Sequence, residues 1–429
     1  MAKLVIGRNS QRVTPAVVKK VSEVPNYIAP KNNVNGVYQA DNIATTFSFN
    51  GAISIMDYAL ANAFPDCSNL TSVIGLENVA DVRTYALYRG FTSSGLTGVA
   101  DLSSLTDVAE YGMYATFSNC VGITSVDLSS LKNLGFAHSM ESTFAGCTGI
   151  TSVDLSSLKT STAESALNST FMGCTSLTSV NLTKLKTLSG NYAMYHCFSG
   201  CSSLTGVLDL SSFEVATSGG ALMSTFAGTG ITGVNLSSLV VNTSGPRGGV
   251  AAVSTFMDCT NLTSVDYCSL KNISAANVFN SVFKGCTSLQ SLYFRALTND
   301  SFGSQTNQFA AMLSGVTGCT VHFPSNVQTK IESLADVSNG FSGTNTTILF
   351  DLPSTAHLIG ADTVEYERNP KYDTATALAW RAKDTGTATA PTIDWTPFYT
   401  SGTSDPTVGT TIYSDSACTT AVTTVASIA

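Results

Sequence analysis

One phrase recurs down the first three-quarters of this 429-residue chain, and its step of 27 residues constrains the fold more than anything else. Two clear copies read Phe117-Ser-Asn-Cys-Val-Gly-Ile-Thr-Ser-Val-Asp-Leu-Ser-Ser-Leu131 and Phe144-Ala-Gly-Cys-Thr-Gly-Ile-Thr-Ser-Val-Asp-Leu-Ser-Ser-Leu158. The first strand-like aliphatic falls at Leu70, Leu96, Ile123, Ile150, Leu177, Leu204, Ile231, Leu262 and Leu289. The steps are 26, then 27 five times, 31 and 27. A fixed period of this length means one supersecondary unit per repeat, each burying its apolar edge against its neighbours. The expected architecture is a solenoid.

Within a copy, Ile150-Thr-Ser-Val-Asp-Leu155 places apolar residues at relative positions 0, 3 and 5. That spacing is the L-x-x-L-x-L signature of a leucine-rich repeat, a short strand with alternate side chains turned into the coil. Val153 then points inward, with Ser152 and Asp154 outward, and Ser156-Ser157-Leu158 makes a turn that returns Leu158 to the core. Phe117, Phe144, Phe171, Phe198, Phe226, Phe256 and Phe283 are also periodic and read as a core stack. Cys67, Cys120, Cys147, Cys174, Cys201, Cys259 and Cys286 share one repeat position, three residues before the aliphatic. Residues at one position stack coil on coil, so these cysteines read as a column of small buried thiols. No CxxC pair occurs, and no zinc site or other cofactor is expected.

The pattern Phe-x-Gly-Cys-x-x-Leu-x-x-Val/Ile-x-Leu resembles the BspA-like leucine-rich repeats over roughly residues 55–325. The resemblance implies an α/β-repeat solenoid with one short strand per coil of ~27 residues. It also implies a non-catalytic role in surface adhesion or host contact.

The ends depart from the repeat. Residues 1–31 hold six basic residues (Lys3, Arg8, Arg12, Lys19, Lys20, Lys31) against Glu23, and read as a basic arm or attachment segment. Residues 32–62 read as an atypical first coil, so the solenoid spans 32–324, with Thr320–Pro324 as its last strand. Ser325 to Gln328 has capping-box spacing, and Val327, Ile331, Leu334 and Val337 recur at helical intervals. The expectation is an amphipathic helix over 325–338 within a helical cap of 325–351. Residues 352–429 hold both tryptophans and three β-prone runs, at 392–399, 409–413 and 421–425, which predict a small C-terminal β-rich domain.

Charged residues are 12% of the chain and its net charge is −8, which argues against nucleic acid as a partner. There is no apolar run long enough for a membrane span. The apolar run Leu4–Gly7 before Arg8 is too short for a signal-peptide core, so no export signal is expected.

Motifs for chemistry are missing. His138, His196, His322 and His357 sit in no HExxH, and there is no GxSxG elbow or Walker loop. Asp127, Asp154, Asp209 and Asp266, with Asn181 and Asn235 between them, form an outward column of one residue per coil. The column reads as a hydrogen-bonded ladder, a calcium site or a sugar-binding face; a smooth ladder offers no cleft for paired-acid hydrolysis. Two segments break the uniform array: 187–197, with Tyr192, Tyr195 and His196, and 238–252, with Arg247 in a Gly-Pro-Arg-Gly-Gly turn. Loop variation on a solenoid is where binding tends to lie. The candidate ligand-binding residues are therefore Tyr192, Tyr195, His196, Arg247, Asp127, Asp154, Asp209 and Asp266, with no catalytic residue and no metal ligand.

The expected function is recognition of a bacterial surface glycan or protein. An adhesin-type repeat without an export signal points to a phage virion component such as a tail or head fibre. Residues 411–420 resemble tails of bacteriophage and mobile-element proteins. The arm or the C-terminal domain would then attach to other virion proteins or form a homotrimer. The alternative is a bacterial surface or secreted adhesin.

Overall fold

The computed structural model describes residues 4–6, 45–49, 52–213, 215–216, 219–236, 252–267, 270, 273–274, 276–302, 307–334, 337–352, 357–362, 364–368, 374, 376–382, 397–404 and 406–428. Arg247, Trp395 and the basic arm beyond Leu4–Ile6 lie outside the described residues.

A representative coil has three sides. A chain of turns from His138 to Cys147 leads into a first strand, Ser152–Asp154. The corner at Ser156–Leu158 follows, then a two-residue second strand, Thr160–Ser161. First strands pair in parallel, with Val126, Val153 and Val180 in register from coil to coil. Val153 is buried between exposed Ser152 and Asp154, as the alternation of polar and apolar residues requires. Second strands stack likewise, Thr160 between Asn133 and Thr187. These second strands add to the expected single strand per coil; at two residues they are too short to show an alternation in sequence.

The turn side satisfies its backbone in an alternating way. N–H groups of His138, Met140, Ser142, Phe144 and Gly146 donate to carbonyls of the next coil, at 2.7–3.0 Å. The N–H groups between them, those of Glu141, Thr143, Ala145 and Cys147, donate three residues back within the same coil. The pattern requires a left-handed residue at every fourth position, here His138 (φ 54°), Ser142 (φ 55°) and Gly146 (φ 74°). Each non-glycine residue held there costs about 1–2 kcal/mol, offset by the hydrogen bonds that these N–H groups make. In this coil the turn side holds no helix.

Inside, Phe64, Phe91, Phe117, Phe144, Phe171, Phe198, Phe226, Phe256 and Phe283 make one stack with centroid spacings of 5.3–6.0 Å. The cysteine column runs beside it, buried and with free thiols. From Cys120 onward each thiol of the column donates to the carbonyl of the phenylalanine one coil back, as Cys147 does to Phe117 (3.0 Å) and Cys286 to Phe256 (3.0 Å). Ser94 and Thr229 take the same position in the two coils that lack the cysteine.

Two features differ from expectation at the C-terminal end. The array does not stop at Pro324: Thr347–Leu352 adds a further parallel strand, with Thr320 opposite Thr347. Between them there is no single helix. Residues 325–338 fold as a 3-10 turn, Ser325–Val327, a five-residue helix, Gln328–Glu332, and the start of a second, Val337–Gly340. The capping box does not form, since neither the turn nor the five-residue helix has a side-chain cap. The reason is the 27-residue step from Thr320 to Thr347, which leaves no room for a long helix before the chain must rejoin the sheet. Val327, Ile331 and Leu334 are still buried, so the apolar spacing marks the core side of a coil. At the other end, Leu4–Ile6 pairs with Ala52–Ile55 and covers the edge of the second-strand sheet.

The C-terminal domain is a closed antiparallel barrel of six strands: His357–Gly360, Glu365–Arg368, Ala377–Ala382, Phe398–Ser401, Thr411–Tyr413 and Ala421–Ile428. Each strand pairs with the next and the last returns to the first. Leu358, Tyr366, Leu378, Trp380, Ile412 and Val425 form its own core, and the Trp380 indole N–H donates to Thr400 Oγ1 (3.0 Å).

Candidate binding surfaces

The aspartate column exists, and its members up to Asp209 are committed to their own coils. Asp127 pairs in register with Asp101 and Asp154. Asp209, Asn235 and Asp266 align in the same way. Oδ1 of Asp101, Asp127, Asp154, Asn181 and Asp209 accepts the backbone N–H two residues on, at 2.8–3.1 Å. This Asx turn closes the corner after the strand. Hydrogen bonds from the Ser156 side chain and then its backbone N–H, aided by Lys184, hold the Asp154 carboxyl below the usual range.

Further along, the column changes character. Tyr293 and His322 occupy the next two places, with rings stacked at 4.5 Å. The Arg295 guanidinium lies 4.6 Å above the Tyr293 ring while its Nε donates to Asp266 (2.8 Å). His322 Nδ1 meets the Asp351 carboxylate at 2.9 Å.

Two β-bulges shape this first-strand side. Gly98 and Gly206 adopt φ of 80° and 81°, and at each the neighbouring strand carries one extra residue, Thr124 opposite Gly98–Val99 and Thr232 opposite Gly206–Val207. Beside these bulges Val99 and Val207 stand outward, 63% and 71% exposed. An open groove of about 550 Å³ runs from Val99 over Ser125, Asp127, Ser152 and Asp154 to Asn181. The sequence carries the signal as Leu-Thr-Gly-Val-Ala-Asp and Leu-Thr-Gly-Val-Leu-Asp, one residue longer than Ile-Thr-Ser-Val-Asp.

Tyr192, Tyr195 and His196 lie on the turn side, away from that column. Tyr192 and Tyr195 meet edge to face at 5.6 Å, and Tyr195 meets His196 at 4.0 Å. Burial lowers the His196 pKa, so its imidazole is neutral near pH 7. These residues belong to a larger aromatic pattern that the sequence reading missed. Tyr58, Tyr85, Tyr111 and His138 occupy the same repeat position as Tyr192 and stack at 5.1, 4.7 and 4.4 Å. Tyr88 and Tyr114 form a second row, stacked at 4.9 Å. Their rings cover one another's faces, so edges and hydroxyls face outward. Burial, then neighbouring tyrosines and glutamates, raise the pKa values of Tyr85 and Tyr111. The signal was present as steps of 27, 26 and 27 from Tyr58 to His138.

Among the described residues no group of three or more His, Cys, Asp or Glu side chains is placed to hold a metal ion. Burial pushes the Cys120 thiol up to about 11 and those of Cys201 and Cys319 to about 12. These thiols are neutral hydrogen-bond donors in the core, without the depressed pKa of a nucleophile.

The strand spacing, the phenylalanine stack and the cysteine column match a known repeat. Residues 40–218 match BspA-type leucine-rich repeats. Six copies match that family's repeat region, over residues 40–134 and 91–218. No curated protein matches the chain. Among solved structures, a leucine rich cell surface protein from Faecalibacterium prausnitzii A2-165 is similar at 14% identity, covering 80% of this chain and 87% of that one, with a TM-score of 0.27. A TLR13–ssRNA13 complex is similar at 13% identity, covering 71% and 54%, with a TM-score of 0.22. An internalin from Listeria monocytogenes is similar at 12% identity, covering 66% and 76%, with a TM-score of 0.18. TM-scores of this size carry no argument about this chain. Among the described residues no helix is long and apolar enough to cross a membrane.

Proposed function

We propose that this protein is a non-enzymatic recognition protein, of the surface or secreted adhesin type, whose ligand lies along the groove on the first-strand side. The observation that supports this most is the groove from Val99 to Asn181, with serine and aspartate side chains repeating at coil spacing on a hydrogen-bonded scaffold. Its carboxylates are held in turns, so they offer fixed acceptors for hydroxyl or amide groups and no acid–base pair across a cleft. Asp127 and Asp154 line the floor; Asp209 and Asp266 extend the column beyond it. The partner class is a bacterial surface glycan or protein.

The test is binding of the labelled full-length chain to intact gut-anaerobe cells, with and without their capsular polysaccharide. Saturable binding that disappears with the capsule supports the reading, and absence of binding to every strain removes it. A second reading, a virion fibre, draws on the C-terminal barrel, whose separate core suits an attachment module. Antibody labelling of purified particles decides it, and unlabelled particles eliminate it.

A further inference from the structure

The groove on the first-strand side has an apolar post at each end. In each coil one residue stands two places before the residue of the Asx turn. These are Val99, Ser125, Ser152, Ser179 and Val207, ahead of Asp101, Asp127, Asp154, Asn181 and Asp209. The first four are in register from strand to strand. Val99 and Val207 project into solvent, 63% and 71% exposed, and the small serines lie between them. The open space of about 550 Å³ lies over those serines, a volume typical of ligand pockets. The side chains of Ser125, Ser152 and Ser179 make no hydrogen bond among the described residues. Asp127 and Asn181 use Oδ1 in their turns, which leaves Oδ2 of Asp127 and the amide N–H groups of Asn181 available. From Val99 to Val207 is four coil steps, about 19 Å.

We propose that Val99 and Val207 are the two ends of a single trough, and that it takes a tetrasaccharide stretch of a linear, neutral glycan. A pyranose ring, a few bonds of about 1.5 Å across, advances a 1,4-linked chain by about 5 Å. Successive rings therefore keep step with successive coils, about 4.8 Å apart. The ring edge carries hydroxyls, which suit the serines, the Asp127 carboxylate and the Asn181 amide. The ring faces carry C–H groups, which the valines contact at either end. Asp101, Asp127 and Asp154 place carboxylates along the trough and disfavour a uronic acid polymer. The floor is the face of a sheet whose strands are already paired, so it offers no free strand edge to an extended peptide. This ligand deepens the groove reading, on which it rests, and the two fail separately. Cell binding that Ser152→Arg blocks, without oligosaccharide binding, removes only the ligand; oligosaccharide binding without cell binding removes only that reading.

The experiment is isothermal titration calorimetry on the full-length chain. The probes are cello-, β-1,4-manno- and chito-oligosaccharides from disaccharide to hexasaccharide, with tetragalacturonate as the acidic comparison. For at least one neutral series, affinity is expected to rise up to the tetrasaccharide and to level off beyond it. Val99→Ser and Val207→Ser alter exposed side chains and should leave Tm unchanged. Each is expected to weaken the tetrasaccharide roughly tenfold, from the loss of one valine contact. The disaccharide, which fits over the serines, should bind both variants as it binds the unaltered chain. Ser152→Arg should abolish binding at every length. Affinity that climbs on to the hexasaccharide, equal losses for disaccharide and tetrasaccharide, equally tight tetragalacturonate, or no binding of any neutral series would overturn the proposal.

Discussion

At the residue scale, identical side chains stacked at one spacing do different work according to their chemistry. Phe171 is fully buried between Phe144 and Phe198, with centroids 5.5 Å away on each side. Phe171→Ala leaves a cavity that rigid neighbouring coils cannot close, and it should destabilise by about 3–5 kcal/mol. Cys147→Ser keeps a small donor at a place where Ser94 and Thr229 already put a hydroxyl in the column, and should cost less than about 1 kcal/mol. Denaturant midpoints of the two variants check both; equal losses would show that the thiol column is not interchangeable with hydroxyls. The aspartate column adds a pH effect. The folded Asp154 pKa lies below its ordinary value of 3.8. Its stabilising contribution is therefore present above that value and lost as pH falls through the lower folded pKa. Asp154→Asn, which keeps the Oδ1 acceptor as Asn181 does, should flatten the acid limb of the stability profile measured by Tm. An unchanged limb would contradict this. All of these positions were legible in sequence because a repeat position fixes a place in the stack. The tyrosine row is equally periodic from Tyr58 to His138, but Ser165 interrupts it before Tyr192, so the last tyrosine looks like a local feature of 187–197.

At the scale of the element, local signals succeeded where they agreed with the coil and failed where the coil overrode them. The strand at Ser152–Asp154 follows from alternation, and the Gly146 corner has the expected left-handed φ. The helix expected over 325–338 had apolar spacing and a capping pattern, yet closing a 27-residue coil shortened it. The turn side was hidden for another reason: its left-handed positions are filled by Tyr, His and Ser, which ordinarily avoid that conformation, and only hydrogen bonds to neighbouring coils hold them there. The bulges give a direct test. Gly98 has φ 80° with nothing within 4 Å of where a Cβ would be, so Gly98→Ala costs only conformational strain, about 1–2 kcal/mol. Gly135 is as open but lacks a positive φ, and Gly135→Ala should be neutral or stabilise by up to about 1 kcal/mol. Thermal denaturation of the pair decides it, and equal effects would rule out the bulge as the origin of the exposed Val99.

For the whole molecule, buried clusters that belong separately to the solenoid and to the barrel imply two separate unfolding events. The solenoid is one continuous cluster from Phe47 to Phe341, and the barrel has its own around Trp380. Both tryptophans follow residue 352 and Trp380 is buried in the barrel, so tryptophan fluorescence reports on the C-terminal region while far-ultraviolet circular dichroism is dominated by the solenoid. Unfolding curves from the two probes should not coincide, and superimposable curves would show that the units unfold as one. The barrel was visible in sequence only as β-prone runs. Its closure depends on pairing between His357–Gly360 and Ala421–Ile428, a contact between distant segments that no local pattern encodes.

The central claim is that the groove between Val99 and Asn181 recognises a cell-surface partner, and one binding isotherm tests it most directly. Ser152 is exposed on the groove floor, so Ser152→Arg blocks the groove while leaving the buried side of the strand intact. Titrated on capsule-bearing cells beside the unaltered chain, Ser152→Arg should weaken binding by roughly tenfold or more at an unchanged Tm. Superimposable isotherms for the two proteins would contradict the account.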